Sequence, residues 1–439
     1  MRTMPTKLSG VIVALTVLAY LLPSAFVQAQ ERDANLRKQA LKLNEVTGKD
    51  AQLGEERSLL KDKAHAKKLV AEAVRMADEK PQPFNHTATQ ILGILAIGVK
   101  DYGAAEKFYR LQLDQAKQLR SAKGLVTAYY KLIPLNLAKR KYAQAEKLCA
   151  EASQNKAILS ALQNLELDND EKTAKDLKEL KAFISFVLEE QIRAIAQQDV
   201  DRAIKFIDRL LQDNSDGWLA LDLKGIAYRL GGKHEEALKV YQDEIRRLDA
   251  DNDLKKKDKD KQLDEIHYSL SGVYIELGDV EKAAKELKAL LAKHPDHPTY
   301  NNDLGYVWAD HDMNLAESEK LIRKALAEDR KLRQKDNPDL KPEEIKDRGA
   351  YLDSLGWVLY KQKKYVEAKR YLRQAVQNTL EDEDNESIEI YDHLGDVLVA
   401  LGQKAEAVAA WKKGVEVAGD SKRDQRRKEE VQKKIKANE

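Results

Sequence analysis

Three phrases of one form constrain this chain more than anything else in it: Leu304-Gly305-Tyr306-Val307-Trp308, Leu355-Gly356-Trp357-Val358-Leu359 and Leu394-Gly395-Asp396-Val397-Leu398. Each is followed by a short polar break and then by an apolar helical pattern, from Ala316 to Leu326, Ala368 to Val376 and Ala407 to Val415. A two-helix unit recurring every ~34 residues has this form. Glycine inside a helix costs ~1 kcal/mol relative to alanine, so it needs a packing reason. The reason we infer is close approach: a neighbouring helix passes where a Cβ would stand. The small residue of the second helix, Ala368 or Ala407, serves the same purpose, and Leu372 or Trp411 then fills the gap between units. One hairpin cannot bury these faces alone, so the units must stack.

Weaker copies fill most of the remaining chain. Leu92-Gly93, Ala96, Tyr102, Ala105 and Tyr109 match well, as do Gly225, Tyr228, Gly232, Ala237 and Tyr241. In the copy with Leu270, Ser271, Tyr274, Gly278, Ala283 and Leu287, serine replaces the glycine. The copy holding Leu132, Tyr142, Ala145 and Cys149 is divergent, and Pro134 should distort its first helix. Counted from Thr89, units centre near Gly93, Ile133, Gln191, Gly225, Ser271, Gly305, Gly356 and Gly395, and eight such units span about 270 residues. Expected packing positions are Gly93, Ala105, Gly225, Ala237, Ala283, Gly305, Gly356, Ala368, Gly395 and Ala407.

At this point the residues resemble the tetratricopeptide repeat, whose consensus runs W-x2-L-G-x2-Y, then A-x3-F, then A, then P. Leu355, Gly356, Leu359, Ala368, Leu372 and Ala375 fall on that template. The unit around Gly305 has one extra residue before its second helix and Ser318 at the small position, and Gly414 stands where the last unit would have alanine. The resemblance implies an all-α fold, a right-handed superhelical solenoid of antiparallel helix pairs. It also implies that residues three before and one or four after the glycine position face a concave groove. Read onto this chain, these include Asp222, Tyr268, Asn302, Tyr306, Asp353, Trp357, Tyr360, Asp392 and Asp396. Members of the family that clamp carboxylates use Lys and Arg there. This chain has acids, an amide and aromatics instead, so the expected ligand is a protein or peptide segment, neutral to basic.

The organisation expected is a targeting segment over 1–29, a helical cap or degenerate repeat over 30–83, and divergent repeats over 84–297. The three best units follow over 298–420, then a charged tail over 421–439. Residues Ile158 to Lys178 read as a polar connector, and 249–264 and 329–348 as charged or polar insertions. The tail should be a solvated helix that frays. Arg2 and Lys7 precede the apolar run Val11 to Leu22, Pro23 breaks it, and Val27-Gln28-Ala29 offers small residues for cleavage before Gln30. The run is shorter than the ~20 apolar residues that span a bilayer. The expectation is therefore export to a bacterial periplasm or medium, with membrane contact only through the cleaved signal.

Cleavage there removes Arg2 and Lys7 and no acid, so the 76 Lys and Arg of the chain fall to 74, equal to its 74 Asp and Glu. A neutral chain lacks the concentrated basic field of a nucleic-acid binder. The single cysteine excludes an intramolecular disulfide and reads as a small buried hydrophobe. Gly231-Gly232-Lys233-His234 lacks the remaining signature of a nucleotide loop and reads as a turn. His294-Pro295-Asp296-His297 flanks an exposed turn rather than gathering a metal. Asn85-His86-Thr87 and Asn385-Glu386-Ser387 are glycosylation acceptors only in a eukaryotic host. No catalytic residue, cofactor or metal ligand is assigned. The reading is a non-enzymatic exported scaffold or adaptor. The alternatives are a structural component or homo-oligomer of an envelope complex and, behind both, an enzyme with its site in the insertions.

Overall fold

The computed structural model describes residues 33–439 apart from 168–170, 214–216, 253, 337–340, 342–344, 382–386 and 420–421. The targeting segment expected over 1–29, the acidic stretch that begins at Glu381 and the sequon at Asn385 therefore lie wholly or mostly outside the described residues, as does much of the insertion after Asp336. Two compact units divide the chain, Met1–Ala194 and Ile195–Glu439.

Every regular element among the described residues is a helix. The first unit holds α1 (33–42), α2 (Lys49–Leu60), α3 (Lys63–Met76), α4 (His86–Gly98), α5 (Tyr102–Gln118), α6 (Ala122–Ala138), α7 (Tyr142–Ser153) and α8 (Lys156–Leu167). The unit boundary falls inside α9 (Glu171–Gln198). The second unit continues with α10 (Val200–Asp213), α11 (Gly217–Leu230), α12 (His234–Ala250), α13 (Lys256–Glu276), α14 (Val280–Lys293), α15 (Pro298–Asp310) and α16 (Leu315–Asp336). It ends with α17 (Gly349–Lys361), α18 (Tyr365–Glu381), α19 (Ile388–Ala400), α20 (Lys404–Val417) and α21 (Lys422–Asn438). Each helix packs chiefly on its sequence neighbours: α4 on α5, α11 on α12, α13 on α14, α15 on α16, α17 on α18 and α19 on α20. First helices of successive pairs also meet, α15 on α17 and α17 on α19, which makes them one face of the stack. The fold is an all-α solenoid of helix pairs.

The turn inside each pair repeats one geometry. One residue enters the left-handed region, Lys100, Arg140, Gly232, Gly278, Lys363 or Gly402, and in the turn before α16 two do, Asp312 and Asn314. The next N–H then reaches back five residues: Asp101 N to Ala96 O, Lys233 N to Tyr228 O, Asp279 N to Tyr274 O and Gln403 N to Leu398 O, each 2.8 Å. This closes the first helix and satisfies a terminal carbonyl. The second helix often starts on a side-chain cap, with Asp101 accepting from Ala104 N at 2.9 Å and Asp279 from Lys282 N at 3.2 Å.

The glycines sit where the second helix crosses. A Cβ built on Gly93 would lie 2.3 Å from the Tyr109 ring, on Gly225 2.5 Å from Tyr241, and on Gly356 2.5 Å from Leu372. On Gly305 it would meet Ile322 at 2.7 Å and on Gly395 the Trp411 indole at 2.2 Å. Ala105, Ala237, Ala368 and Ala407 of the second helices are fully buried, as is Ala283 in the pair where Ser271 replaces the glycine. The first unit's core runs through Phe108, Tyr129, Leu132, Cys149 and Phe183; the last pairs close around Leu352, Val358, Leu372 and Trp411.

The expectation for the tail needs correction, and several stretches take a form that the sequence left open. Helix α6 runs on through Pro134. Leu132, Ile133 and Leu135 around it are buried, and that packing offsets the ~3 kcal/mol a proline costs in a helix interior. The stretch read as a connector is helical on both sides of residues 168–170, as α8 and the start of α9. Residues 256–264 of the first insertion extend α13 backward as helix. The second insertion begins as a continuation of α16 to Asp336. It is pinned at its far end by Arg330 on Asp347 and Arg348 on Asp329. The tail does not fray into solvent: Val431 is fully buried and Ile435 nearly so, both within the core of the last pairs.

Candidate functional site

The face made by α15, α17 and α19, which α13 joins through Tyr268 on Asp303, carries the expected groove residues other than Asp222, and α21 lies against its last helix. The tail helix has eight bases against three acids. Spacing by about four residues puts Arg423, Arg427, Val431, Lys434 and Ile435 on adjoining stripes, so the apolar pair docks while the bases reach the acids. Arg423 and Arg427 bind Glu389 at 2.8 and 2.9 Å. Arg427 also meets Asp392 at 3.2 Å, and Lys434 bridges Asp392 at 2.7 Å and Asp396 at 2.8 Å. Arg426 reaches Glu276 of α13 at 3.0 Å, across 150 residues of sequence. The tail helix thus reaches across the face from α19 to the end of α13.

Side chains of the face are tied to one another as well. Tyr306 donates to Glu389 at 2.5 Å, spanning α15 to α19. Trp357 is turned inward, 9% exposed, with its Nε1 donating to Asp310 at 3.0 Å. Its indole stacks on Tyr360 at 5.0 Å and on the His393 imidazole at 4.0 Å. Asp353 is buried and faces His393 Nδ1 at 3.0 Å. Burial by itself would lower the pKa of His393, but Asp353 and Glu389 outweigh it and the imidazole titrates above its usual value. Burial would also raise Glu389, yet Arg423 and Arg427 hold it at about 2.

The expected groove residues thus fall into three groups. Tyr306, Asp353, Trp357, Tyr360, Asp392 and Asp396 come together, but as a network closed by His393, Glu389 and α21 rather than as a free surface. Tyr268 and Asn302 meet at a second point, Asp303, to which both donate. Asp222 stands apart on α11, near the buried Glu244 of α12, whose carboxyl burial and Asp222 push up to about 8. The sequence reading missed Glu389, His393, Asp303 and the tail's bases. Glu389 and His393 lie six and two residues before Gly395, outside the positions the repeat template marks, and α21 carries no repeat signature. The charge of the tail was the available signal.

Among the described residues, no group of three or more His, Cys, Asp and Glu side chains is arranged to hold a metal, and no helix is long and apolar enough to cross a membrane. His294 binds Asp264 at 2.7 Å and His297 stacks on Tyr300 at 3.8 Å. Cys149 is buried, and burial raises its thiol to about 12.

Tetratricopeptide-repeat models match residues 192–253, 270–332, 349–377 and 388–421. The chain is 30% identical over 179 residues to TPR repeat-containing protein PA4667 of Pseudomonas aeruginosa, a match covering 40% of this chain and 26% of that protein. It therefore spans about a quarter of that relative's length. A thermophilic TPR protein of Thermus thermophilus superposes with a TM-score of 0.32 at 19% identity, covering 47% of this chain and 94% of that one. BtubC from P. vanneervenii does so with a TM-score of 0.36 at 17% identity, covering 52% and 90%.

Proposed function

The chain belongs to the tetratricopeptide-repeat family, and from that premise we propose that it is an exported scaffold holding a basic helical segment of a partner protein against the first-helix face of its second unit. Repeats of this family are protein-interaction scaffolds, and the finer reading rests on charge. The observation that carries it is α21: the face already accepts a basic amphipathic helix, with Arg423, Arg427 and Lys434 on Glu389, Asp392 and Asp396. A partner helix of the same pattern would find the same carboxylates. Export rests on the basic, apolar and small-residue succession over residues 1–29.

The test uses a labelled synthetic peptide of residues 422–439 added to the full-length protein. Wild type, with its own tail in place, should bind it weakly. Arg427→Gln with Lys434→Gln, which frees Asp392 and Asp396, should bind it about tenfold more tightly, as expected for one to two charge-assisted contacts regained. Equal affinity in the two proteins, or none in either, overturns the groove reading. Cell fractionation with N-terminal sequencing tests export; an intact Met1 on cytoplasmic protein would refute it.

A further inference from the structure

Asp303, on the first-helix face, is held differently from the acids that α21 neutralises. Glu276, Glu389, Asp392 and Asp396 are each met by an arginine or lysine of α21. Asp303 of α15 is met only by neutral donors, Tyr268 Oη at 2.8 Å and Asn302 Nδ2 at 3.1 Å. Among the described residues it has no ion-pair partner. Of the bases near this corner along the chain, His297 stacks on Tyr300 at 3.8 Å, and Lys293 and His294 are both spent on Asp264, at 2.6 and 2.7 Å. His267 is spent on Glu286 at 2.8 Å. Burial raises the Asp303 carboxyl above the usual range, and no cation opposes it. Beside it, the Oδ1 of Asn302 is buried with no hydrogen-bond partner.

Two tyrosine rings stand at this point. Tyr268 keeps 36% of its surface exposed and leans on Tyr300, ring centres 5.4 Å apart at 43°. Tyr300 is in turn fixed by His297 stacked at 3.8 Å. An anion short of a cation, flanked by half-open aromatic faces, is the complement of a cationic side chain: the carboxylate takes the charge and the rings take the stem and the cation's face.

We propose that Asp303, Tyr268 and Tyr300 form a socket for one lysine or arginine side chain of the partner protein. The proposal deepens the reading of the first-helix face as a seat for a basic segment and rests on it. The tail fills the end of the face near α19; the socket, between α13 and α15, is an anionic position that the tail's bases leave unfilled. An incoming ammonium or guanidinium donates to Asp303 while the Tyr268 hydroxyl keeps its bond, and the unsatisfied Asn302 Oδ1 is a second acceptor within the same corner.

The test titrates a peptide of repeated Lys-Gly-Gly, and its norleucine counterpart, into the full-length protein. Wild type should bind the lysine peptide and not the norleucine one. Asp303→Asn should weaken it about tenfold, the loss of one charge-assisted contact. Tyr300→Ala should weaken it about threefold, the scale of an exposed cation–π contact. Tyr268→Phe, which keeps the ring and frees the carboxylate, should leave affinity equal or higher. Asp303→Asn and Tyr300→Ala both binding like wild type would overturn the socket and leave the broader reading of the face standing. Failure of wild type to prefer lysine over norleucine overturns both. If Asp303→Asn melts with wild type yet loses the lysine preference, the loss is one of recognition and the socket stands; Tyr300→Ala gives the same decision where the asparagine variant is unstable.

Discussion

At the residue scale, the buried acids separate into those with cations and those without. Glu244 is 4% exposed, has an oxygen with no hydrogen-bond partner, and lies near Asp222. Its pKa rises from 4.5 unfolded to about 8 folded. The folded state therefore holds the proton where the unfolded chain has released it, and stability falls as pH rises from about 4.5 to about 8. Glu244→Gln should abolish that slope, leaving the acid side of the melting curve unchanged and raising the melting temperature above pH 8. Thermal melts of the two proteins from pH 5 to 9 check this; parallel curves would refute it. Composition hid this, since Glu244 stands among Asp243, Arg246 and Arg247, although its spacing from Ala237, Tyr241 and Leu248 puts it on the buried face of α12. The packing glycines are the opposite case. Gly93, Gly225, Gly305, Gly356 and Gly395 each sit against a large side chain of the second helix, because a glycine kept in a helix interior needs a close neighbour to justify its cost.

At the scale of one element, α21 decides what the candidate site is. Its Val431 and Ile435 anchor it in the core, and its bases neutralise acids that would otherwise be buried alone. Glu389 is central, held at about 2 against an unfolded 4.5. A depressed carboxylate contributes stability above its unfolded pKa, and loses it as pH falls through 4.5 toward about 2. Acid should therefore loosen α21 before the helices beneath it. Amide exchange of residues 422–438, normalised for intrinsic rates, should accelerate between pH 5 and pH 3 while α17 stays protected. Simultaneous loss in α17 and α21 would show that the ion pairs do not set the tail's docking. The same element explains why Asp353 and Asp392 are poor places to probe a ligand by charge reversal: both are buried, one on His393 and the other on Arg427 and Lys434, so a lysine there would attack the fold.

At the scale of the whole molecule, helices lean mainly on their sequence neighbours, so damage should stay local before it spreads. Gly395→Ala drives a Cβ to within 2.2 Å of the Trp411 indole, whose Nε1 donates to Asp392 O at 3.2 Å. Overpacking of this kind costs about 1–3 kcal/mol. Exchange protection should fall first in α19, α20 and α21, while the unit Met1–Ala194 keeps its own. Uniform loss across both units would contradict nearest-neighbour coupling. How much of this was legible follows the same division. The pairs around Gly305, Gly356 and Gly395 were readable because each is specified within one ~34-residue stretch. The form of α8 and of the start of α9 stayed open, because residues 158–178 carry no repeat signature.

Local spacing, then, determined that this chain is a stack of helix pairs and which glycines are crossings, while the family resemblance pointed to the face that collects acids and aromatics. Tertiary structure alone decided how the acids of that face are shared out, Glu389, Asp392 and Asp396 to the tail's arginines and lysines, Asp353 to His393, and Asp303 and Asp310 to neutral donors. Periodicity reports which side of a helix is buried, since that depends on residues three and four apart. It cannot report which charge arrives from 150 residues away, as Arg426 does at Glu276.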